Sequence, residues 1–153
     1  GGHPAFKCPL KDEESYTDYY LEFEHAETLS SWMLNADGLI GNHQKPMIHE
    51  SRVLPLKRDL FDDDALIFKD LKSRSIELKS KNLGRILTVD YPNFPYLGLW
   101  AKPAAPFVCI EPWQGLADSA DTSQELINKE GIITLDADEQ HHAGYNMTFA
   151  SEL

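Results

Sequence analysis

The chain reads as an all-β protein, an antiparallel β-sandwich or barrel, on three observations. Period-two alternation of apolar and polar residues recurs along it, and no long stretch holds a helical period. The alternating runs are short and are separated by turn chemistry at residues 35–38, 82–84, 91–95 and 102–106. With 153 residues, 42% of them hydrophobic, the chain is long enough to bury one domain-sized core. Many short strands at fairly regular spacing favour a sandwich or barrel.

Taken in order, the first strand is expected within residues 16–24. There Thr17, Tyr19, Leu21 and Phe23 share one face, and Asp18, Glu22 and Glu24 share the other with Tyr16 and Tyr20. Further strands are expected at 65–71, 75–80, 85–91, 97–101, 107–111, 131–135 and 144–149. One short helix is expected at 122–129, because Thr122 and Glu125 have the spacing of a capping box and Gly131 follows its end. The run Asp62-Asp63-Asp64 reads as a solvated turn with one member available to a site. No internal repeat, low-complexity tract or linker divides the sequence.

A formal net charge of −11 argues against nucleic acid and against anionic membrane surfaces as partners. No apolar run approaches the length of a membrane span. Cys8 and Cys109 form no C-x-x-C pattern and read as two small buried hydrophobes in a reducing compartment, for which the cytoplasm is the simplest location.

The segment from Phe107 to Trp113 carries the most chemical information. Phe107, Cys109 and Glu111 share one strand face, Val108 and Ile110 the other, and Pro112 is expected to stop the ladder. A glutamate at the end of a buried strand is costly unless it is paired, solvated at a rim, or used. Partial burial would raise its pKa toward the range of a working general base. Glu111 is therefore either a rim glutamate or a base, and both readings stand on local pattern. Trp113 is a sugar-stacking platform or a core tryptophan. His3, between two glycines and a proline, is a histidine on a fixed backbone or an exposed residue beside a tag-like Gly-Gly; local pattern favours the second. His141 and His142 would point to opposite faces of a strand and read as loop residues. No zinc signature, phosphate-cradling loop or nucleophile elbow is present.

In combination these stretches resemble the aldose 1-epimerase (galactose mutarotase) family, in its LacX-like branch. The matching residues are Gly2 to Phe6 with Cys8-Pro9-Leu10, then Leu60-Phe61 with Asp64 to Phe68, Phe94 to Trp100, and Pro106 to Trp113. Gly115, Asp118 and Lys129 to Ile132 follow in the family's order. The resemblance implies a large antiparallel sandwich that holds a monosaccharide in an open cleft, with no cofactor and no metal. It implies that His3 is the general acid and Glu111 the general base. Asp64 would bind sugar hydroxyls, and Trp113 and Phe6 would line the cleft. It implies interconversion of α and β anomers: a base takes the anomeric hydroxyl proton, an acid protonates the ring oxygen, and the open aldehyde turns and recloses.

The resemblance extends only to the C-terminal half of such a protein. Residues 1–153 are expected to be a single segment of a larger sandwich, with the N-terminal part on another chain or fragment. Half a sandwich would leave sheet edges unpaired and an apolar face exposed. Three other readings remain open. One is a non-catalytic carbohydrate-binding sandwich. Another is a hexose-6-phosphate 1-epimerase, for which Arg52, Arg58, Arg74 and Arg85 are the available phosphate ligands. The last is glycoside hydrolysis by Asp64 and Glu111.

Overall fold

A computed structural model describes residues 1–151. Among these residues nine strands are formed: β1 (Ala5–Lys7), β2 (Tyr19–Leu34), β3 (Ile40–Pro55), β4 (Leu66–Phe68), β5 (Ser75–Ser80), β6 (Gly84–Asp90), β7 (Tyr96–Trp100), β8 (Phe107–Trp113) and β9 (Asn146–Phe149). They make one antiparallel sheet in the order β1-β8-β7-β4-β2-β5-β6-β9, with β3 paired along the other edge of β2.

The long strand β2 organises the rest. Its first residues, Tyr19 to Phe23, pair with β5, and Trp32 near its end pairs with Ile67 of β4. Between these two stretches the register against β3 shifts, from Glu22 opposite Val53 to Glu27 opposite Ser51. Extra residues on one strand bend it and increase its twist. The sheet therefore has two wings. One is β1-β8-β7-β4 and the other β5-β6-β9. Their inner faces close on one core that holds Phe6, Phe68, Leu97, Leu99, Val108 and Ile110 from the first wing and Ile76, Leu78, Leu87 and Val89 from the second. Phe23 meets Phe68 edge-on across the fold, at 6.4 Å between ring centres.

The bend is pinned by a buried carboxylate. Glu27 Oε1 accepts hydrogen bonds from the backbone N–H of Lys72 (3.0 Å), the N–H of Ser73 (2.7 Å) and the Ser73 hydroxyl (2.7 Å). Ser73 Oγ in turn accepts from His25 N. These bonds hold the β4–β5 connection, which crosses between the wings, against the bulge. Arg52 Nε donates to the Phe23 carbonyl on the other side of the same bulge.

The first wing is covered on both faces. In β4, β7 and β8 alternate residues enter the main core, while Ile67 joins a second, smaller apolar cluster with Ile40, Leu116, Trp32, Tyr96 and Trp113. That second face carries the candidate site. Both cysteines are free and buried, as the sequence suggests.

Several expectations are corrected. The helix at 122–129 is only a 3-10 turn at Leu126–Asn128, and Glu125 makes no capping bond with its side chain. Leu126 and Ile127 lie exposed there, so no apolar face is buried to offset the cost of nucleating a helix. Residues 131–135 form no strand and pair with no other strand. The first strand starts at Tyr19 and runs far past residue 24, and β3 has no counterpart in the sequence reading. Most of β3 is exposed, so its side chains carry no apolar period. Pro112 does not end the ladder: it sits opposite Leu97, and Trp113 still pairs with Tyr96. The Pro112 carbonyl accepts from Gly2 N (3.0 Å), so its missing N–H faces the N-terminal segment rather than β7.

If Glu27 holds the bend, Glu27→Ala should cost about 2–4 kcal/mol, because three buried donors lose one acceptor. Glu27→Gln, which keeps an acceptor oxygen, should cost less. Urea denaturation of the three proteins checks this; an alanine variant with an unchanged midpoint would refute the role.

Candidate functional site

The site lies on the outer face of the first wing. Strand parity puts Cys109 and Glu111 of β8 there, opposite Trp100 and Gly98 of β7. Glu111 is 3% exposed. Its neighbours explain how a carboxylate is tolerated at that depth. Trp113 Nε1 donates to Glu111 Oε2 at 3.1 Å, and His3 Nδ1 stands 3.4 Å from Glu111 Oε1.

Trp113 reaches Glu111 because Gly98 has no side chain. A Cβ on Gly98 would sit 2.5 Å from the indole Cζ2, so the ring lies across the bare backbone of β7. A glycine inside a strand marks a close approach of this kind. Gly98, and Trp100 beneath His3, are the site residues that sequence reading missed, and glycine within an apolar strand was the available signal for the first.

His3 is not a loose end. Gly2 N donates to Pro112 O, and the Pro4 carbonyl accepts from Ile110 N (3.2 Å), so the segment continues the β1–β8 ladder past His3. The imidazole meets Trp100 edge-on at 6.2 Å, and its side chain is 63% exposed. Cβ atoms at Gly1 and Gly2 would collide with Pro112 O and with the Tyr145 ring. Side chains at these two glycines would not fit, so the backbone path that carries the exposed His3 is closely packed.

The remaining predicted residues lie elsewhere. Phe6 has the opposite parity and packs in the main core, 6.4 Å from Phe149. Asp64 is in the turn before β4 with φ of 82°, and its Oδ1 accepts from Ala65 N. By register it lies three residue rows and two strands from Glu111, roughly 10 Å or more away. A cavity of about 220 Å³, lined by Cys8, Tyr16, Lys57, Arg58, Phe61 and Ala101, lies at the other end of β7 and β8. His3 and Glu111 line no part of it.

Burial pushes the Glu111 carboxyl above the ordinary carboxylate range, and the His3 charge and the Trp113 hydrogen bond pull it part of the way back. The folded-state pKa therefore exceeds the unfolded one. The stability contributed by protonated Glu111 is fully present below the ordinary carboxylate pKa and is lost as pH rises through the raised value. Burial, with the neighbouring Glu111 charge, raises the Cys109 thiol to about 11. Trp113→Phe removes a donor that favours the charged carboxylate, so Glu111 should titrate at a higher pH than in the parent protein. A ¹³C-NMR titration of the Glu111 carboxyl reads this directly, and a downward shift would contradict the arrangement.

No protein-family model matches the chain. Protein LacX of Lactococcus lactis subsp. lactis, in its plasmid and chromosomal forms, is 38% identical over 135 residues, which is 86% of this chain and 45% of LacX. A galactose mutarotase related enzyme from Lactobacillus acidophilus superposes with a TM-score of 0.84 at 29% identity, covering 98% of this chain and 51% of that one. A galactose mutarotase-like protein from Lactobacillus casei gives a TM-score of 0.76, also at 29% identity, over 95% of this chain and 49% of its own. The chain spans about half the length of the relatives it matches. The chain is thus similar, over about half their length, to LacX and to galactose mutarotase-related proteins, and it shares their antiparallel architecture.

Proposed function

We propose that the chain carries the acid–base pair of an aldose 1-epimerase-like isomerase, with Glu111 as general base and His3 as general acid. The observation that supports this reading most is the contact itself. Residues 108 positions apart in sequence (111 minus 3) lie 3.4 Å from each other, one rigid and buried, the other exposed.

Ring opening needs one group at the anomeric hydroxyl and another at the ring oxygen. Glu111 takes the hydroxyl proton, and protonated His3 gives a proton to the ring oxygen. The C1–O5 bond breaks as the aldehyde forms. Rotation about C1–C2 and reversal of both transfers yield the other anomer, with no net change in protonation. A raised carboxyl pKa strengthens Glu111 as a base near neutral pH. The 3.4 Å separation leaves no room for a sugar between the two groups, since each must hold its own oxygen at about 2.8 Å. The exposed His3 side chain is the one that swings aside, with Trp100 as its resting surface. The indole of Trp113, beside Glu111, supplies an aromatic face for pyranose C–H groups. Asp64 reaches this sugar only through its distal hydroxyls, and its distance from Glu111 counts against a hydrolytic carboxylate pair.

The partner in this reading is a polypeptide that carries the N-terminal half of the sandwich. Leu126 (69% exposed), Ile127, Ile132, Ile133, Leu135, Met147 and Phe149 (59% exposed) leave an apolar surface uncovered. The second half would cover it and would supply the facing wall of the cleft.

Two experiments test the proposal. Glu111→Gln should lower mutarotation of a fresh α-anomer by at least ~100-fold, read by polarimetry, with melting temperature at neutral pH equal or higher because no buried charge remains. A wild-type rate in that variant would reject Glu111 as the base. Co-expression with the first half of a LacX-type sequence should give a one-to-one complex. A chain that stays stable and monodisperse by itself and retains no such partner on native chromatography would refute the two-piece reading.

A further inference from the structure

Cys109 is part of the same face and has no role in the proposed proton transfers. His3 Nδ1, Cys109 Sγ and a Glu111 carboxylate oxygen all lie within 4.8 Å of one another, the one such group of three found among the described residues. We propose that this imidazole–thiolate–carboxylate cluster binds a borderline-soft divalent cation of the zinc class, and that the bound cation holds the acid–base pair closed.

Three observations lead to this assignment. The first is spacing. Bonds of about 2.3 Å to sulfur and about 2.0–2.2 Å to nitrogen and oxygen, at tetrahedral angles, put ligand atoms roughly 3.3–3.7 Å apart. The 3.4 Å between His3 Nδ1 and Glu111 Oε1 already has that value. The sulfur must approach its partners by no more than about 1.5 Å, and the exposed His3 side chain is free to follow. The second is the donor set. One sulfur, one nitrogen and one carboxylate oxygen suit Zn²⁺ or Co²⁺ and do not suit Mg²⁺ or Ca²⁺, which require oxygen ligands. A thiolate and a carboxylate together balance the charge of the ion, and the displaced thiol proton leaves to solvent. The third is access. Three donors from the protein leave a fourth position on the open His3 side for water. Strand parity in the sequence joins Cys109 and Glu111, but the third donor comes from the segment before β1, with no metal-ligand spacing to them.

Cys8 supplies a control. It follows β1 with the parity of Phe6 and lies in the main core, on the other side of the sheet.

The test uses the whole chain, freed of metal, and Co²⁺ as the probe. One equivalent should produce a thiolate-to-cobalt charge-transfer band that Zn²⁺ displaces. Cys109→Ser should abolish the band and weaken Zn²⁺ binding, by calorimetry, at least tenfold; Cys8→Ser should change neither. His3→Ala alters an exposed side chain and should also weaken binding, which keeps the test valid if Cys109→Ser fails to fold. No band in the parent chain, or a band that survives Cys109→Ser, overturns the site. The inhibitory consequence rests on the mutarotase reading: in an active preparation, one equivalent of Zn²⁺ should stop mutarotation in the parent and not in Cys109→Ser. Absence of mutarotation without metal counts against that reading alone, since the cobalt band decides the metal site independently of activity.

Discussion

The arrangement depends on Glu27. A buried carboxylate in the middle of a strand would ordinarily be a liability, costing several kcal/mol if left unpaired. Here one of its oxygens accepts three hydrogen bonds from Lys72 and Ser73, and this satisfaction is what lets β2 change register between Glu22 and Glu27. Without the bend, β4 and β5 could not occupy successive stretches of the same edge of β2. Without the β4–β5 crossing that Glu27 holds, the two wings could not close on a shared core. The site follows from that closure. Once the inner face of β1-β8-β7-β4 is committed to the core, the other parity of β7 and β8 is left for chemistry.

That division explains the asymmetry of the pair. Glu111 is set in a strand bonded on both sides, to β7 along its length and to the Gly2–Lys7 segment on the other edge, so its backbone has little freedom. Its carboxylate is further fixed by Trp113, which is itself placed by the absence of a side chain at Gly98. His3 is held only through its backbone and rests edge-on against Trp100. The pair thus joins a carboxylate fixed by its strand and by Trp113 to an imidazole that is exposed and held by backbone alone.

How much of this is legible in the sequence depends on whether local pattern or long-range contact decides each feature. The strands β5, β6, β7 and β8 are readable because each buries at least one face; one-sided burial imposes period two on Ser75–Ser80, and burial of both faces gives Phe107–Trp113 a continuous apolar run. Parity alone also places Cys109 and Glu111 together. By contrast β3 is mostly exposed along its length, so nothing imposes a pattern on it, and its pairing is fixed by the hairpin at Asn35, whose Oδ1 accepts from Asp37 N and Leu39 N. The stretch at 131–135 shows the converse failure. Its apolar residues alternate well enough to read as a strand, but it pairs with none and Ile132, Ile133 and Leu135 stay exposed. His3 is the sharpest case. Its neighbours look like an arbitrary terminus, and only the ladder from Gly2 to Pro112 and from Ile110 to Pro4 gives it a position.

The second apolar cluster bears on how complete the site is. Ile40, Ile67 and Leu116 are buried beneath Trp32, Tyr96 and Trp113, so the floor of the outer face is a packed surface and not an accident of exposure. Beyond that floor, the stretch following Trp113 has little regular structure and leaves Ile132, Ile133 and Leu135 in solvent. A floor that is finished beside a rim that is not is the pattern expected where a cleft has two walls and one chain builds only one of them. Glu111 fits that account. Its burial comes from its own strand and from Trp113 and His3, so its raised pKa is a property of this chain.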